Sequence, residues 1–382
     1  MKQVDRRSFL KLASGAFAGA TVGAGLSPLT RTVTGLVVPR SAFAQSSLLY
    51  PFTLGVASGD PLQDSVVLWT RLAPNPQEPG GGMSNQDVLV HWEVADDEQF
   101  RRVVREGEAL AEPEDAHSVH VDVRGLSPAR TYWYRFHAGG EMSSVGRTRT
   151  APRRGAPLER FRFAFASCQD FEDGFYTAYQ HLVQEEVDVV VFLGDYIYED
   201  APEPGSGNVR DHTGAGEPVT LEGYRIRYAL YRSDPLLQAA HAALPWIVTF
   251  DDHEVDNDWS ADIPQDPERQ SRAQFLQRRA AAFKAYWEHM PLRPGLRPRG
   301  TDIQIYRRFT FGDLVEFNVL DTRQYRSVTE PCGYGTGPVC DAVLDPARTM
   351  LVQPPGTMAV RRPETLAGAL ECSRSAGADH AT

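Results

Sequence analysis

The 382-residue chain is long enough for two domains of ordinary size, and its 42% hydrophobic and 23% charged residues are those of a globular protein, not a disordered or fibrous one. The net charge is −11, and beyond residue 44 the balance is 33 basic against 49 acidic residues, a formal −16. Such an acid excess argues against a nucleic-acid-binding surface, which needs clustered cations, but it leaves room for a small phosphate ester where metal charge dominates locally.

Residues 1–44 read as a targeting segment. Asp5-Arg6-Arg7-Ser8-Phe9-Leu10-Lys11 resembles the twin-arginine export signal, a Gly/Ala-rich apolar stretch follows, and Ala42-Phe43-Ala44 is a small-residue cleavage site. Gly, Thr and Arg31 dilute the stretch too far for a membrane span. The expected partner is the twin-arginine export machinery. The expected location is the periplasm or the outside of the cell, and no stable span is expected in the mature chain.

Residues 45–150 alternate as short strands do. Val119, Val121 and Val123 face one way and His120, Asp122 and Arg124 the other; Val88, Val90, Trp92 and Val94 repeat the pattern. Regular strands separated by turn residues suggest a β-sandwich. Gly125-Leu126-Ser127-Pro128 followed by Thr131-Tyr132-Trp133-Tyr134 resembles the tyrosine corner of immunoglobulin-like and fibronectin-like domains. His117, His120 and His137 lie on this sandwich and read as solvent-facing structural histidines. Residues 151–160 are a Pro- and Arg-rich linker.

Two apolar runs then end abruptly in polar residues: FRFAFASCQ at 161–169 and VDVVVFLGDYIYE at 187–199, with a helix expected over 174–186. Apolar runs with little alternation fit strands covered on both faces, and ligands of such βαβ units gather at the carboxyl ends of the strands. Cys168, Asp195 and Tyr198 fall there, and a third run, 246–250, delivers Asp251, Asp252, His253 and Glu254. Carboxylate and phenolate oxygens suit hard cations and a thiolate adds affinity for iron or zinc; iron accepts all three donors. A second, harder ion could share Asp195 or Asp252, and paired ions suit in-line displacement at phosphorus. Asp251 and Glu254 read as orienting residues and Asp256 and Asp258 as solvated. Helical patterns follow at 221–231, 234–243 and 268–289, the last with Arg278, Arg279 and Lys284 on an expected solvated face, and strands at 303–309 and 314–320 form an expected hairpin.

Five segments together resemble the PhoD-like alkaline phosphatase/phosphodiesterase family of the metallophosphoesterase superfamily. They are FASCQ at 165–169, GDYIYE at 194–199, RYALYRSDPLLQAAHAALPW at 227–246, DDHE at 251–254 and LDTRQYR at 320–326, in the family's order and spacing. The resemblance runs from about residue 50 to about residue 351. It implies an N-terminal immunoglobulin-like β-sandwich over 45–150 followed by an α/β metallophosphoesterase-like domain over 161–351. It implies hydrolysis of phosphate mono- or diesters, a metal-held hydroxide attacking phosphorus, with small phosphate esters as substrates. The metals would be iron (Fe3+) and calcium, held by Cys168, Asp195, Tyr198 and Asp252, with Tyr198 preferred to Tyr196 and Asp252 holding the calcium. His253 would bind phosphoryl oxygens or protonate the leaving group, and nearby cations should push its pKa down. Asn208-Val209-Arg210 resembles a family segment, and Arg210 could contact a phosphate oxygen.

Residues 352–382 contain no Phe, Trp or Tyr and no clear strand. Family members continue past this point with a further Gly-Asp-x-His-type segment. The second domain is therefore expected to be incomplete at its C-terminus, and the alternative function is a truncated, catalytically inactive remnant. Cys332 and Cys340 flank a Gly-rich loop and, in an exported protein, could pair.

Overall fold

The computed structural model describes residues 49–326, apart from 203, 204, 206 and 215, together with the backbone of 359–361. The leader, Cys332, Cys340 and the rest of the tail lie outside the described residues.

Period-two alternation builds the first part. Strands β1 (Val56–Gly59), β2 (Ser65–Arg71) and β5 (Ser118–Arg124) pair antiparallel in the order β5-β2-β1. Strands β3 (Val88–Ala95), β4 (Val103–Ala111), β6 (Thr131–Ala138), β7 (Glu141–Met142) and β8 (Gly146–Arg149) form a second antiparallel sheet, with β6 central. Val66, Leu68, Val119, Val121 and Val123 of one sheet close on Val90, Val94, Tyr134 and Phe136 of the other. Full burial of such a side chain is worth roughly 1.5–3 kcal/mol. The Tyr132 hydroxyl accepts a hydrogen bond from the Ser127 N–H at 2.8 Å, closing the turn between β5 and β6.

The next part is parallel. Strand β9 (Phe163–Ala166), helix α1 (Thr177–Leu182) and strand β10 (Val189–Phe192) make the expected βαβ unit, and β11 (Pro245–Val248) pairs parallel with β10. Residues 189–192 are buried throughout, as an apolar run covered on two faces must be. On one face lie helices α2 (Leu221–Arg232), α3 (Pro235–Ala243) and α4 (Arg272–His289), which pack Tyr224, Tyr228, Phe283 and Tyr286 around Val190, Phe192, Trp246 and Val248. On the other face, β12 (Arg307–Phe311) and β13 (Val315–Val319) press Phe309, Phe311 and Phe317 onto Val189, Val191 and Ile247.

One sheet crosses the segment read as a linker. Ser58 of β1 pairs with Pro245 of β11 and Gly59 with Trp246, in parallel register, so the order is β5-β2-β1-β11-β10-β9. Alternation within each run cannot reveal which run a strand will pair with.

Several expectations change. Residues 352–382 do contribute a strand: β14 (Ala359–Arg361) adds antiparallel to β13. Three residues are too few to show alternation. His117 is buried, its Nε2 against the Gln86 carbonyl, and His120 stacks on Trp287 with ring centroids 4.1 Å apart, so neither faces solvent. His137 pairs with Glu93 at 3.2 Å. Helix α4 begins at Arg272 because Ser271 and Gln274 form a reciprocal capping box just before it. Its Arg278 and Arg279 are not a solvated face. Arg278 is buried against Asp256 at 3.0 Å and Glu217, and Arg279 pairs with Asp302 at 3.1 Å. Lys284 reaches Asp115 at 2.8 Å. Asp256 is likewise buried, not solvated, because Arg278 neutralises it.

Candidate metal centre

Three parallel strand ends converge, and backbone geometry makes the convergence tight. Cys168 and Asp195, just beyond β9 and β10, both take left-handed backbone conformations, φ 54° and 57°. Non-glycine residues rarely do so, and such strain clusters at functional sites. The two turns are tied together by Cys168 N–H to Gly194 O and Gln169 N–H to Asp195 O, each 3.1 Å. Gly194, φ 125°, is required: a Cβ there would lie 2.5 Å from the Asp251 nitrogen. Its absence lets the end of β10 touch the end of β11.

Glu254 is the knot. Fully buried, it accepts the Asp195 N–H at 3.1 Å, the Tyr196 N–H at 2.6 Å and the Asp251 N–H at 2.8 Å. One carboxylate thus fixes the backbone on which two neighbouring acids sit.

The structure brings Cys168, Asp195, Tyr198, Asp252 and His253 to one place. Oxygens of Asp195, Asp251 and Asp252 lie within 4.8 Å of one another, and Asp195 and Asp252 are buried. The Cys168 thiol donates to Asp195 Oδ2 at 3.3 Å, and the Tyr198 hydroxyl is within hydrogen-bonding reach of Cys168. The Tyr198 ring stands 4.2 Å from the His253 ring. Tyr196 turns the other way, into the core, where its hydroxyl meets His241 Nε2 at 2.9 Å.

The electrostatics are those of a cation site. Burial, then the charges of Asp251 and Asp252, push the Asp195 carboxyl up to about 6. Burial raises Asp252 too, with Arg323 opposing. Burial and Asp195 raise both the Cys168 thiol and the Tyr198 phenol. Asp195 Oδ1 is buried with no hydrogen-bond partner. Like charges and an orphaned carboxylate oxygen at one point are costly unless a cation joins them, and the mixed oxygen and sulfur donors fit a metal ion.

His253 sits beside this cluster. Its Nδ1 donates to Glu199 Oε2 at 2.8 Å, leaving Nε2 as the free edge of the ring. Burial works against the charged imidazole, but the Glu199 hydrogen bond and charge, with Asp252 and Asp195, raise it to about 9. Carboxylates alone surround the ring, so the chain's own charges favour the imidazolium, and the downward push expected of cations would act against them. Glu199 Oε1 also accepts the Asn257 N–H at 2.6 Å.

Sequence reasoning gave no role to Glu199 or Arg323. Arg323 donates from Nε to Asp251 Oδ1 at 2.6 Å and from Nη2 to Asp252 Oδ1 at 2.9 Å. Both residues stand in quoted motifs, GDYIYE and LDTRQYR, but their partners are 54 and 71 positions away. Arg210, by contrast, is committed elsewhere. Its guanidinium pairs with Asp234 at 2.7 Å, donates to the Phe171 carbonyl and stacks 3.7 Å from the Phe171 ring. It serves the loop's packing.

Comparison with known proteins identifies relatives of the chain. A family model described as PhoD-like phosphatase matches residues 163–354, and one for the PhoD-like phosphatase N-terminal domain matches residues 39–152. Alkaline phosphatase D of Bacillus subtilis (strain 168) is 52% identical over 350 residues, which cover 91% of this chain and 58% of that protein. A solved structure titled "Structure of PhoD" superposes with a TM-score of 0.71 at 58% identity, covering 73% of this chain and 53% of that one. The chain thus spans little more than half the length of these relatives. With both parts of the described fold matched, the chain belongs to the PhoD-like phosphatase family.

Proposed function

We propose that this chain is a metal-dependent hydrolase of phosphate mono- or diesters, of the alkaline phosphatase D type. The observation that carries the reading is the Asp195–Asp251–Asp252 cluster, in which Asp195 Oδ1 is buried without a partner while Oδ2 accepts the Cys168 thiol. Cys168, Asp195 and Tyr198 would hold iron, Fe3+, since a phenol and a thiol suit a cation that accepts soft and hard donors. Asp195 and Asp252 would hold calcium, an oxygen-seeking ion. Bound there, the ions supply positive charge for phosphoryl oxygens and acidify water.

The chain's own groups supply the rest. His253, positioned through Nδ1 by Glu199, presents Nε2 to a phosphoryl or leaving-group oxygen, and the Glu199 carboxylate favours its protonated form. Glu254 fixes the separation of the two strand ends. The test is release of phosphate from a chromogenic ester, with metal analysis of the purified chain. Turnover abolished by chelation and restored by iron with calcium is expected; turnover indifferent to chelation overturns the reading.

The sandwich over 45–150 reads as an immunoglobulin-like domain ahead of the metallophosphoesterase domain, supported by the tyrosine-corner hydrogen bond. The segment 1–44 reads as a twin-arginine leader, so the protein acts in the periplasm or outside the cell on small phosphate esters. Arg6→Lys with Arg7→Lys should block export; undiminished export refutes it. Among the described residues no helix is long and apolar enough to cross a membrane.

A further inference from the structure

We propose that Arg323 is a positioning residue for the second metal ion: its guanidinium bridges Asp251 and Asp252 and fixes which carboxylate oxygens face the cation. The inference rests on the metal-centre reading above. Asp252 is held at both oxygens, Oδ1 by Arg323 Nη2 at 2.9 Å and Oδ2 by the Asp258 N–H at 2.7 Å. Asp251 Oδ1 takes Arg323 Nε at 2.6 Å and the Thr322 hydroxyl at 3.4 Å. Neither carboxylate can turn without breaking one of these bonds. A ligand already fixed surrenders little rotamer freedom when the ion arrives, and partners that orient metal ligands carry much of a site's affinity.

The backbone that carries the guanidinium is itself fixed. Buried Asp321 accepts the Arg323 and Gln324 N–H groups at 3.1 and 2.9 Å, and the Arg323 carbonyl accepts the Ala261 N–H at 2.9 Å. The end of β13 is therefore built as a bracket for one side chain. Charge explains why an arginine stands there. Three acids crowd one point, and a permanently charged fork offsets part of their repulsion while touching two of them at once. A lysine keeps the charge but, as a point donor, cannot hold both carboxylates in a plane.

The experiment uses the full chain, iron-loaded, titrated with calcium by calorimetry, with iron followed by visible phenolate absorption and elemental analysis. Arg323→Lys should keep its iron and its absorption band while its calcium affinity falls by about ten- to a hundredfold. Asp321→Asn leaves the guanidinium in place but loosens the bracket, and should give a smaller loss of the same kind, which keeps the test decisive if Arg323→Lys does not fold. Calcium affinity equal to wild type in the folded variants, with only the melting temperature changed, overturns the inference and leaves the metal centre standing. A wild-type chain that takes up neither ion overturns both.

Discussion

Two charge clusters, one around helix α4 and one at the β10 and β11 strand ends, are built on opposite plans. Around helix α4, each buried charge has an opposite one: Arg278 with Asp256 and Glu217, Arg225 with Glu288 at 2.6 Å, Lys284 with Asp115. At the strand ends, Asp251 and Asp252 share the Arg323 guanidinium, His253 lies beside them, and Asp195 Oδ1 has no partner. A balanced cluster is finished by the chain itself. An acid-rich one would draw its balance from a bound cation, at the expense of stability without it. The contrast separates architecture from chemistry more sharply than burial alone, since Asp256 of one cluster and Asp252 of the other are both buried.

That contrast can be broken by mutation. Arg278→Ala strands Asp256 in the interior and should cost about 3–5 kcal/mol in denaturant unfolding; a cost below 1 kcal/mol would mean the α4 cluster is not structural. Asp195→Asn should act in the reverse sense in chelator-treated protein. The Asp195 pKa is raised in the folded state, so its contribution is fully present below about pH 4 and lost as pH rises through about 6. The wild type should therefore lose roughly 3 kcal/mol over that interval relative to the asparagine variant. A parallel pair of stability–pH curves would show that the carboxylates do not repel.

The His253 ring sharpens the same picture from its basic partner. Its folded pKa, about 9, exceeds the ordinary value, so stability is fully present below about pH 6.5 and declines as pH rises through 9. In chelator-treated protein, His253→Asn should flatten that decline, an effect of roughly 3 kcal/mol, read from melting temperatures between pH 6 and 10. Full loading with metal should shrink the dependence, since cations oppose protonation. The smallest effect is the control: Ser271→Ala removes only the cap of α4, costs about 1 kcal/mol and should do so equally at every pH.

Much of this was legible in the sequence, for physical reasons. Val189–Phe192 is an unbroken apolar run, so its burial and its abrupt end at Gly194-Asp195 mark a strand and its functional edge. Cys168, Asp195 and Asp252 lie where runs stop, and strand ends are local facts. What stayed hidden is pairwise. Nothing along 272–289 says that Arg278 meets Asp256, because a helix face of arginines looks the same whether water or carboxylates cover it. Arg323 and Glu199 were in plain view as letters, but their roles exist only across a fold that closes 71- and 54-residue separations. The same holds for His120, whose place under Trp287 depends on α4 packing over β5.

The parallel pairing of β1 with β11 carries a mechanical consequence. The strands whose ends carry Asp195 and Asp252 lean on a neighbour contributed from the beginning of the described chain, so one continuous sheet joins the two halves. Heating should melt both in one calorimetric transition, and a fragment starting at Pro152 would expose the bare flank of β11 and clump instead of refolding.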